Sequence, residues 1–483
     1  MRYTSAWFRG KRVTVMGLGL HGGGLAVARW MLRHGADVTV TDIKTRAQLR
    51  PSVCAIEKTA QGKGSGRLQL VLGGHRAVDF NRADIIVQNP GVPRDSRYLD
   101  IARHAHVPIE NEASIFLQVV RATKLPVRIV GITGTRGKST TAALIFAMLD
   151  AGGRRAFLAG NIRIPMFDIL DRVIRAARHD EVDVVLELSS WHCEHLSAQT
   201  GSVDVAVFTN LLRDHLNRYA SMRSYFSAKA RLIRFQRSRA VAVLNADDVV
   251  VSELARVYKR DVRWFSSAAL PIRTRGAYLD RAWVWVRDRS KTQRLAAIRN
   301  ASLQGAHNAM NVAAATACAH TLGISGVAIR RAIREFRGLP GRAQDIATRN
   351  GIRYMNDTCA TTPDASIAAL RSITDGIVLI AGGTDKRLRF DVWAREVVER
   401  VHSIVFLPGT ATDCMRAALK RTPGAHALAI YEANSMRTAV RTATKCAERG
   451  DVVLLSPGAT SFGLFVHEFD RGDQFVQAVK TKR

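Results

Sequence analysis

A lysine and a run of hydroxyls follow a glycine-rich turn in Gly131-Ile132-Thr133-Gly134-Thr135-Arg136-Gly137-Lys138-Ser139-Thr140-Thr141. These residue types suit a nucleoside triphosphate. Successive backbone N–H groups in such a turn, with the positive end of the helix that leaves it, cradle an anion. Lys138 then lies along the outer phosphates, and the hydroxyl of Ser139 or Thr140 holds Mg2+. Strict phosphate-loop spacing would place the first glycine at Ile132, so that glycine is displaced to Gly131 or Gly134. Downstream, Glu187 closes an apolar run and should emerge beside the loop, because parallel strands share an edge. A hard cation among phosphates takes carboxylate and hydroxyl oxygens, so Ser139 and Glu187 suit one Mg2+. His215 stands where it can support a second. Lys229, taken alone, reads as a solvated helix lysine.

These side chains need a frame. Val127 to Ile132 is an apolar strand and Ala142 to Leu149 a helix-forming run, which makes the glycine stretch the turn between them. Further strands are expected at Val182 to Leu188, Val203 to Thr209 and Val241 to Leu244, with helices at Ser224 to Phe235 and His307 to Leu322. Trp264 to Arg299 is β-rich and repeatedly charged. Ahead of this unit, a strand at Lys11 to Met16 runs into Gly17-Leu18-Gly19-Leu20-His21-Gly22, then a helix, then a strand at Ala36 to Thr41 ending at Asp42. That βαβ outline with G-x-G-x-x-G belongs to a dinucleotide fold, although the same turn holds any nucleotide pyrophosphate or merely packs a helix on a strand. A strand at Ala83 to Gln88 stops at Asn89-Pro90-Gly91, a carboxyl strand end where open α/β sheets bind ligands. Arg121 to Pro126 reads as a hinge. From Gly338 onward, strands at Arg353 to Asn356, Ile377 to Ala381, Ser403 to Leu407 and Val452 to Leu455 alternate with helices. The expected fold is α/β with mostly parallel sheets in three domains: Rossmann-like over 1–122, P-loop ATPase-like over 123–337 and Rossmann-like over 338–483.

At 483 residues the chain exceeds one ordinary core. It has no apolar stretch of about eighteen residues for a membrane span. Met1 to Gly10 carries charge and leads into a strand, unlike a signal peptide, so a cytoplasmic location is expected. The six cysteines lie far apart without a C-x-x-C pair, which fits a reducing compartment and spells no zinc site. Most are expected to be buried small apolar residues. The formal charge of +31 attracts polyanions nonspecifically. The cations are dispersed, without a basic block or interleaved aromatics, which favours a basic surface that gathers acidic substrates over a nucleic-acid function.

Taken in order, Gly131 to Thr141, Asn161 in Gly160-Asn161-Ile162, Leu186 to Ser190, Asn210 to His215, Lys229, Asn245 to Asp248 and His307-Asn308 resemble the Mur ligase family across almost the whole chain. The Gly-Leu-Gly-Leu turn, Asn89 to Gly91, Gly382-Gly383 with Lys386, and Ser456 to Gly472 are similar to those of members that add D-glutamate to UDP-N-acetylmuramoyl-L-alanine in peptidoglycan precursor synthesis. The resemblance implies that the substrate carboxylate attacks the γ-phosphate of ATP. The glutamate amine then attacks the acyl phosphate, and phosphate leaves. It implies catalytic roles for Lys138, Glu187, His215 and Lys229, with Lys229 carbamylated by CO2. Two Mg2+ ions would be held through Ser139, Glu187, His215 and that carbamate. ATP contacts fall on Gly134, Thr135, Arg136, Gly137, Lys138, Ser139, Thr140, Asn308, Arg342 and Asp357. The UDP-substrate contacts fall on Leu20, His21, Asp42, Asn89, Pro90, Gly91, Asn161 and Ser189, and the glutamate contacts on Thr361, Lys386, Ser461 and Phe462. Small-molecule substrates, no specific nucleic acid, no transmembrane segment and a monomer are the partner expectations. ATP and glutamate on different domains imply closure before chemistry.

The chain departs from the family pattern at Arg136, where Asn is usual, and at Gly341, where His usually precedes Arg342. Cys359 and Val466 stand where Lys is common. Other readings stay open at this point. They are a related ligase with another amino acid, such as L-glutamate, or another acceptor, a nicotinamide dehydrogenase built on Gly17 to Gly22, and a basic P-loop nucleic-acid-binding protein.

Overall fold

The computed structural model describes residues 3–19, 22–200, 202–215, 218–258, 261–289, 291–298, 305–385, 388–461 and 463–481. The chain divides into two compact units, Met1–Phe336 and Arg337–Arg483.

The first unit holds two sheets. β1 (Arg12–Met16), β2 (Asp37–Asp42), β3 (Leu68–Leu72), β4 (Ile85–Gln88) and β5 (Ile109–Glu110) pair in parallel in the order β3-β2-β1-β4-β5. The second sheet is formed by β6 (Val127–Thr133), β7 (Ala156–Gly160), β8 (Val182–Glu187), β9 (Val205–Phe208), β10 (Val241–Asn245), β11 (Asp261–Ser266), β12 (Gly276–Asp280), β13 (Trp283–Asp288) and β14 (Lys291–Ala297). Their order is β14-β13-β12-β11-β10-β9-β6-β8-β7, with the phosphate-loop strand β6 inside the sheet, between β8 and β9. Alternation along the strands serves two cores. Ile129, Val184, Leu186, Ala206 and Phe208 join a core that continues into the first sheet through Trp30, Phe116 and Phe167. Val130, Ile132, Val185 and Val207 face the opposite core, under helices Lys138–Ala151 and Ala306–Thr321. The two sheets are thus packed on shared apolar side chains, and Trp30 Nε1 also donates to Asp171 Oδ1 at 2.8 Å.

The charged stretch resolves into the antiparallel strands β12, β13 and β14. Contrary to expectation, cations and aromatics do interleave there: Arg294 lies 4.3 Å over Trp283 and Arg287 5.2 Å over Tyr278.

In the second unit β15 (Gln344–Arg349), β16 (Ile352–Asn356), β17 (Ile377–Gly382), β18 (Val401–Leu407), β19 (Ala429–Glu432) and β20 (Val452–Leu455) run in the order β15-β16-β20-β17-β18-β19. Only β15 is antiparallel to its neighbour. Helices cover both faces, with Trp393 in one core and Phe475 in the other. The α/β class with three mostly parallel sheets is as expected. The strands β3, β5, β7, β15 and β19 are additional to those anticipated. Of the cysteines, Cys193 and Cys318 are buried whereas Cys54 and Cys414 are exposed, so burial is less general than expected. Among the described residues no helix is long and apolar enough to cross a membrane.

Candidate active site

The site grows from the carboxyl ends of β6, β8 and β9. Register puts Ile132 beside Glu187 and Thr133 beside Phe208, so the phosphate loop, Glu187 and the segment after Phe208 emerge together. The helix Lys138–Ala151 starts directly after Gly137, whose φ is +79°. A Cβ at Gly137 would lie 2.2 Å from Asn311 Oδ1, and one at Gly134 1.9 Å from Thr209 Oγ1. Both glycines are required by close packing around the loop. The segment after β9 holds the loop's shape: Thr135 N donates to Asn210 O at 2.9 Å, and Arg136 N to Asn210 Oδ1 at 2.9 Å. Thr209 Oγ1 in turn donates to Arg136 O at 2.7 Å. On the far side, Asn311 Nδ2 donates to Asn308 Oδ1 at 3.2 Å. Lys138 Nζ donates to Thr135 O at 2.9 Å, and Ser139 is buried.

Lys229 is no solvated helix lysine. It is 1% exposed. Its Nζ donates to Gly134 O at 2.7 Å and lies 4.7 Å over the Tyr225 ring. Burial pulls the ammonium down to about 7, aided by Lys138 and opposed by Cys193, Asp214 and Glu187. Tyr225 gathers the other members. Its hydroxyl is 3.3 Å from Thr135 Oγ1, and its ring is 5.7 Å from that of His215. His215 has φ +54°, and its Nε2 is 3.8 Å from Asp214 Oδ2.

Glu187 is also 1% exposed. Its Oε1 accepts Asn161 Nδ2 at 3.1 Å, while Oε2 is buried without a hydrogen-bond partner. A buried carboxylate oxygen left in that state suits a cation ligand. Among the described residues no three His, Cys, Asp or Glu side chains converge as a ready metal cluster. Mg2+ takes one or two carboxylates and completes its shell with phosphate oxygens and water.

Elsewhere several expected contacts prove to be engaged within the protein. Asp42 Oδ2 accepts Leu18 N at 2.9 Å and Gly19 N at 3.2 Å, and its Oδ1 accepts Lys44 N at 2.9 Å. A carboxylate so occupied shapes the glycine turn. Asn89 Nδ2 donates to Gly17 O at 2.8 Å. Beyond Gly91, which is exposed, Arg218 Nη1 donates to Pro90 O and Val92 O, both at 3.1 Å, joining the two sheets' loops. Ser189 Oγ accepts His192 N at 3.3 Å as a helix cap. Thr140 is half-buried on the first turn of the loop helix. Leu20, His21, Lys386 and Phe462 lie outside the described residues.

In the second unit, Asp357 Oδ1 accepts Ala343 N at 3.0 Å and Oδ2 accepts Ser456 Oγ at 2.8 Å. Burial pushes its carboxyl up to about 7 against those two bonds and the charges of Arg342 and Arg471. Arg342 is exposed; Thr361 N donates to Cys359 O at 2.9 Å, and Ser461 is buried.

Sequence reasoning missed Thr209, Asn311, Tyr225 and Glu112. Glu112 Oε1 accepts Met166 N at 2.5 Å, capping the helix Met166–Ala176 that follows the Asn161 loop. His192 Nε2 is 3.9 Å from Glu112 Oε2. Burial pushes Glu112 up to about 7 and His192 down to about 4, so the two meet as neutral groups between those values and form no ion pair.

Three family models match in succession: Mur ligase MurD-like, N-terminal domain over residues 11–111; Mur ligase middle domain over 132–319; and Mur ligase, glutamate ligase domain over 341–458. The chain is 42% identical over 482 residues to a UDP-N-acetylmuramoylalanine–D-glutamate ligase of Roseiflexus sp. strain RS-1, covering 98% of this chain and 99% of that one. It is 33% identical over 472 residues to the enzyme of the same name from Koribacter versatilis, covering 98% of each. The fold is also that of the UDP-N-acetylmuramate-alanine ligase of Thermotoga maritima, with TM-score 0.60, 20% identity and coverage of 97% and 99%. Identity sustained along nearly the whole length, together with the three domain matches in order, shows that this chain belongs to the Mur ligase family and is an ATP-dependent amide-bond-forming ligase.

Proposed function

We propose that this chain joins D-glutamate to UDP-N-acetylmuramoyl-L-alanine in peptidoglycan precursor synthesis, releasing ADP and phosphate. The relatives named for D-glutamate addition support this substrate pair. One observation carries the chemistry: Lys229, buried and drawn toward neutrality, bonds to the phosphate loop beside the orphaned Oε2 of Glu187.

A substrate carboxylate oxygen attacks the γ-phosphorus of ATP, ADP leaves, and an acyl phosphate forms. The glutamate amine then attacks the acyl carbon, loses a proton, and the tetrahedral adduct expels phosphate. The difficulty lies in bringing two anions together, so the protein acts by positioning and charge. The amides of Gly134, Thr135, Arg136 and Gly137 cradle the triphosphate, with Lys138, Ser139 and Thr140 on its outer groups. Asn308, Arg342 and Asp357 complete the ATP contacts. Glu187 and Ser139 would hold one Mg2+, and His215 and a Lys229 carbamate would hold the second. When bound, the two ions neutralise the triphosphate and the incoming carboxylate. The neutral Lys229 amine adds to CO2 and sheds a proton, replacing a cation by an anionic oxygen ligand.

Residues 1–122, with Leu20, His21, Asp42, Asn89, Pro90, Gly91, and with Asn161 and Ser189 from the next domain, hold the UDP-substrate. Residues 123–337 hold ATP. Residues 338–483 hold glutamate through Thr361, Lys386, Ser461 and Phe462. The working form is a cytoplasmic monomer, which light scattering of the purified protein and fractionation of cells test. The test of the activity is ADP release with UDP-N-acetylmuramoyl-L-alanine while D-glutamate, L-glutamate, D-aspartate or diaminopimelate is supplied. Selective stimulation by D-glutamate is expected, and equal or greater stimulation by another amino acid refutes the assignment.

A further inference from the structure

Arg471, in the helix Glu468–Lys480, is 0% exposed. Burying a guanidinium is tolerated only when its N–H groups are engaged. Here they are used across the chain: Nε donates to Thr358 Oγ1 at 3.1 Å, Nη2 to Thr358 O at 2.8 Å, and Nη1 to Ala459 O at 3.1 Å. Glu468, Asp357 and Cys359 face the cation, and burial still pulls it down to about 10. The helix approaches closely at its next residue, since a Cβ at Gly472 would sit 2.6 Å from Thr358 Cγ2.

The two segments that Arg471 ties carry Thr361 and Ser461. Their surroundings are knitted to the same point. Gly458 N donates to Ala360 O at 2.9 Å, and Thr384 N donates to Thr460 O at 2.8 Å. Thr460 Oγ1 returns a bond to Thr384 O at 2.8 Å, and Thr358 Oγ1 donates to Glu468 O at 2.7 Å. Loops 357–361, 383–385 and 456–461 therefore share one fixed spacing, with the guanidinium between the first and the last.

We propose that Arg471 is the positioning residue of the amino-acid pocket: it sets the distance between loops 357–361 and 456–461 and thereby the affinity for glutamate. This rests on the reading that those loops hold the incoming amino acid. The pocket's charge-assisted recognition of a dicarboxylate depends on donors held in place, and a planar guanidinium holds two loops as a single ammonium cannot.

Three variants test it: Arg471→Met, Arg471→Lys and Thr358→Val, the last keeping the cation while removing one acceptor. Each is assayed for the D-glutamate KM, the ATP KM, and acyl phosphate trapped by hydroxylamine without glutamate. The expected result is a D-glutamate KM raised about tenfold or more in Arg471→Met and about threefold in the other two, with trapping within about twofold of wild type. Should Arg471→Met fail to fold, Thr358→Val carries the test. An unchanged D-glutamate KM, or ATP KM and trapping disturbed in parallel with it, overturns the positioning role. Wild-type ADP release that ignores every amino acid overturns the pocket reading itself, and the proposal with it.

Discussion

Replacing Glu112 by Gln gives the sharpest energetic forecast. The side chain is buried, and burial lifts its carboxyl from the ordinary 4.5 to about 7 against the backbone N–H groups of Met166 and Phe167. Between those values the folded chain holds a proton that the unfolded chain has released, so stability falls as pH rises through the window. The difference of about 2.5 pH units corresponds to roughly 3 kcal/mol lost by pH 8, at 1.36 kcal/mol per unit. Glutamine keeps a carbonyl for Met166 N and cannot ionise. The variant should match wild type near pH 4.5 and gain on it steadily to pH 8, by roughly 6 °C in Tm if 1 kcal/mol shifts a unit of this size about 2 °C. His192, held down to about 4, gives the opposite slope below about 6.5 in both proteins and largely cancels from the difference. Calorimetric melting from pH 4.5 to 8.5 is the assay. A Glu112→Gln difference that stays flat, or shrinks, as pH rises refutes the reasoning.

Other substitutions probe the reaction centre and the departures from the family pattern. Glu187→Gln keeps the shape and the Asn161 contact but loses the anionic oxygen, so ADP release should fall by about 10²- to 10³-fold with a raised Mg2+ requirement; wild-type rates would contradict the metal role. Lys229→Ala should cost about 10³-fold, with partial rescue by acetate or formate and loss of a carbamate signal in 13C NMR with labelled bicarbonate. No rescue and no signal in wild type would count against carbamylation. Gly341→His restores the residue common in the family, yet Gly341 has φ +73° and a Cβ there would lie 2.7 Å from Thr358 Cγ2. A loss of about 1–3 kcal/mol in urea unfolding is expected; equal stability would show that the loop relaxes freely.

The phosphate loop and Glu187 were legible in the sequence because parallel strands deliver their carboxyl ends to one edge, and apolar runs locate those ends. The strands that escaped were short and weakly patterned, such as β19 with its exposed Ile430 and Tyr431. Hydrogen-bond occupancy was not legible. Asp42 is visible in the sequence as the acid after the second strand of a βαβ pattern, whereas the closing of its own turn by both its oxygens shows only in the structure. Lys229 looks solvated on a helix until tertiary packing buries it over Tyr225 and against Gly134 O. Asn311 and Thr209 act by filling the space beside two glycines, which only close packing reveals.

The central claim is that a substrate carboxylate, brought to ATP beside Lys138, Glu187 and Lys229, becomes an acyl phosphate before glutamate arrives. Enzyme supplied with ATP, Mg2+, D-glutamate and UDP-N-acetylmuramoyl-L-alanine labelled with 18O in its carboxylate puts this to a direct measurement by 31P NMR of the released phosphate. The account predicts one labelled oxygen in each phosphate formed. Phosphate released without label, while the amide product accumulates, would contradict it.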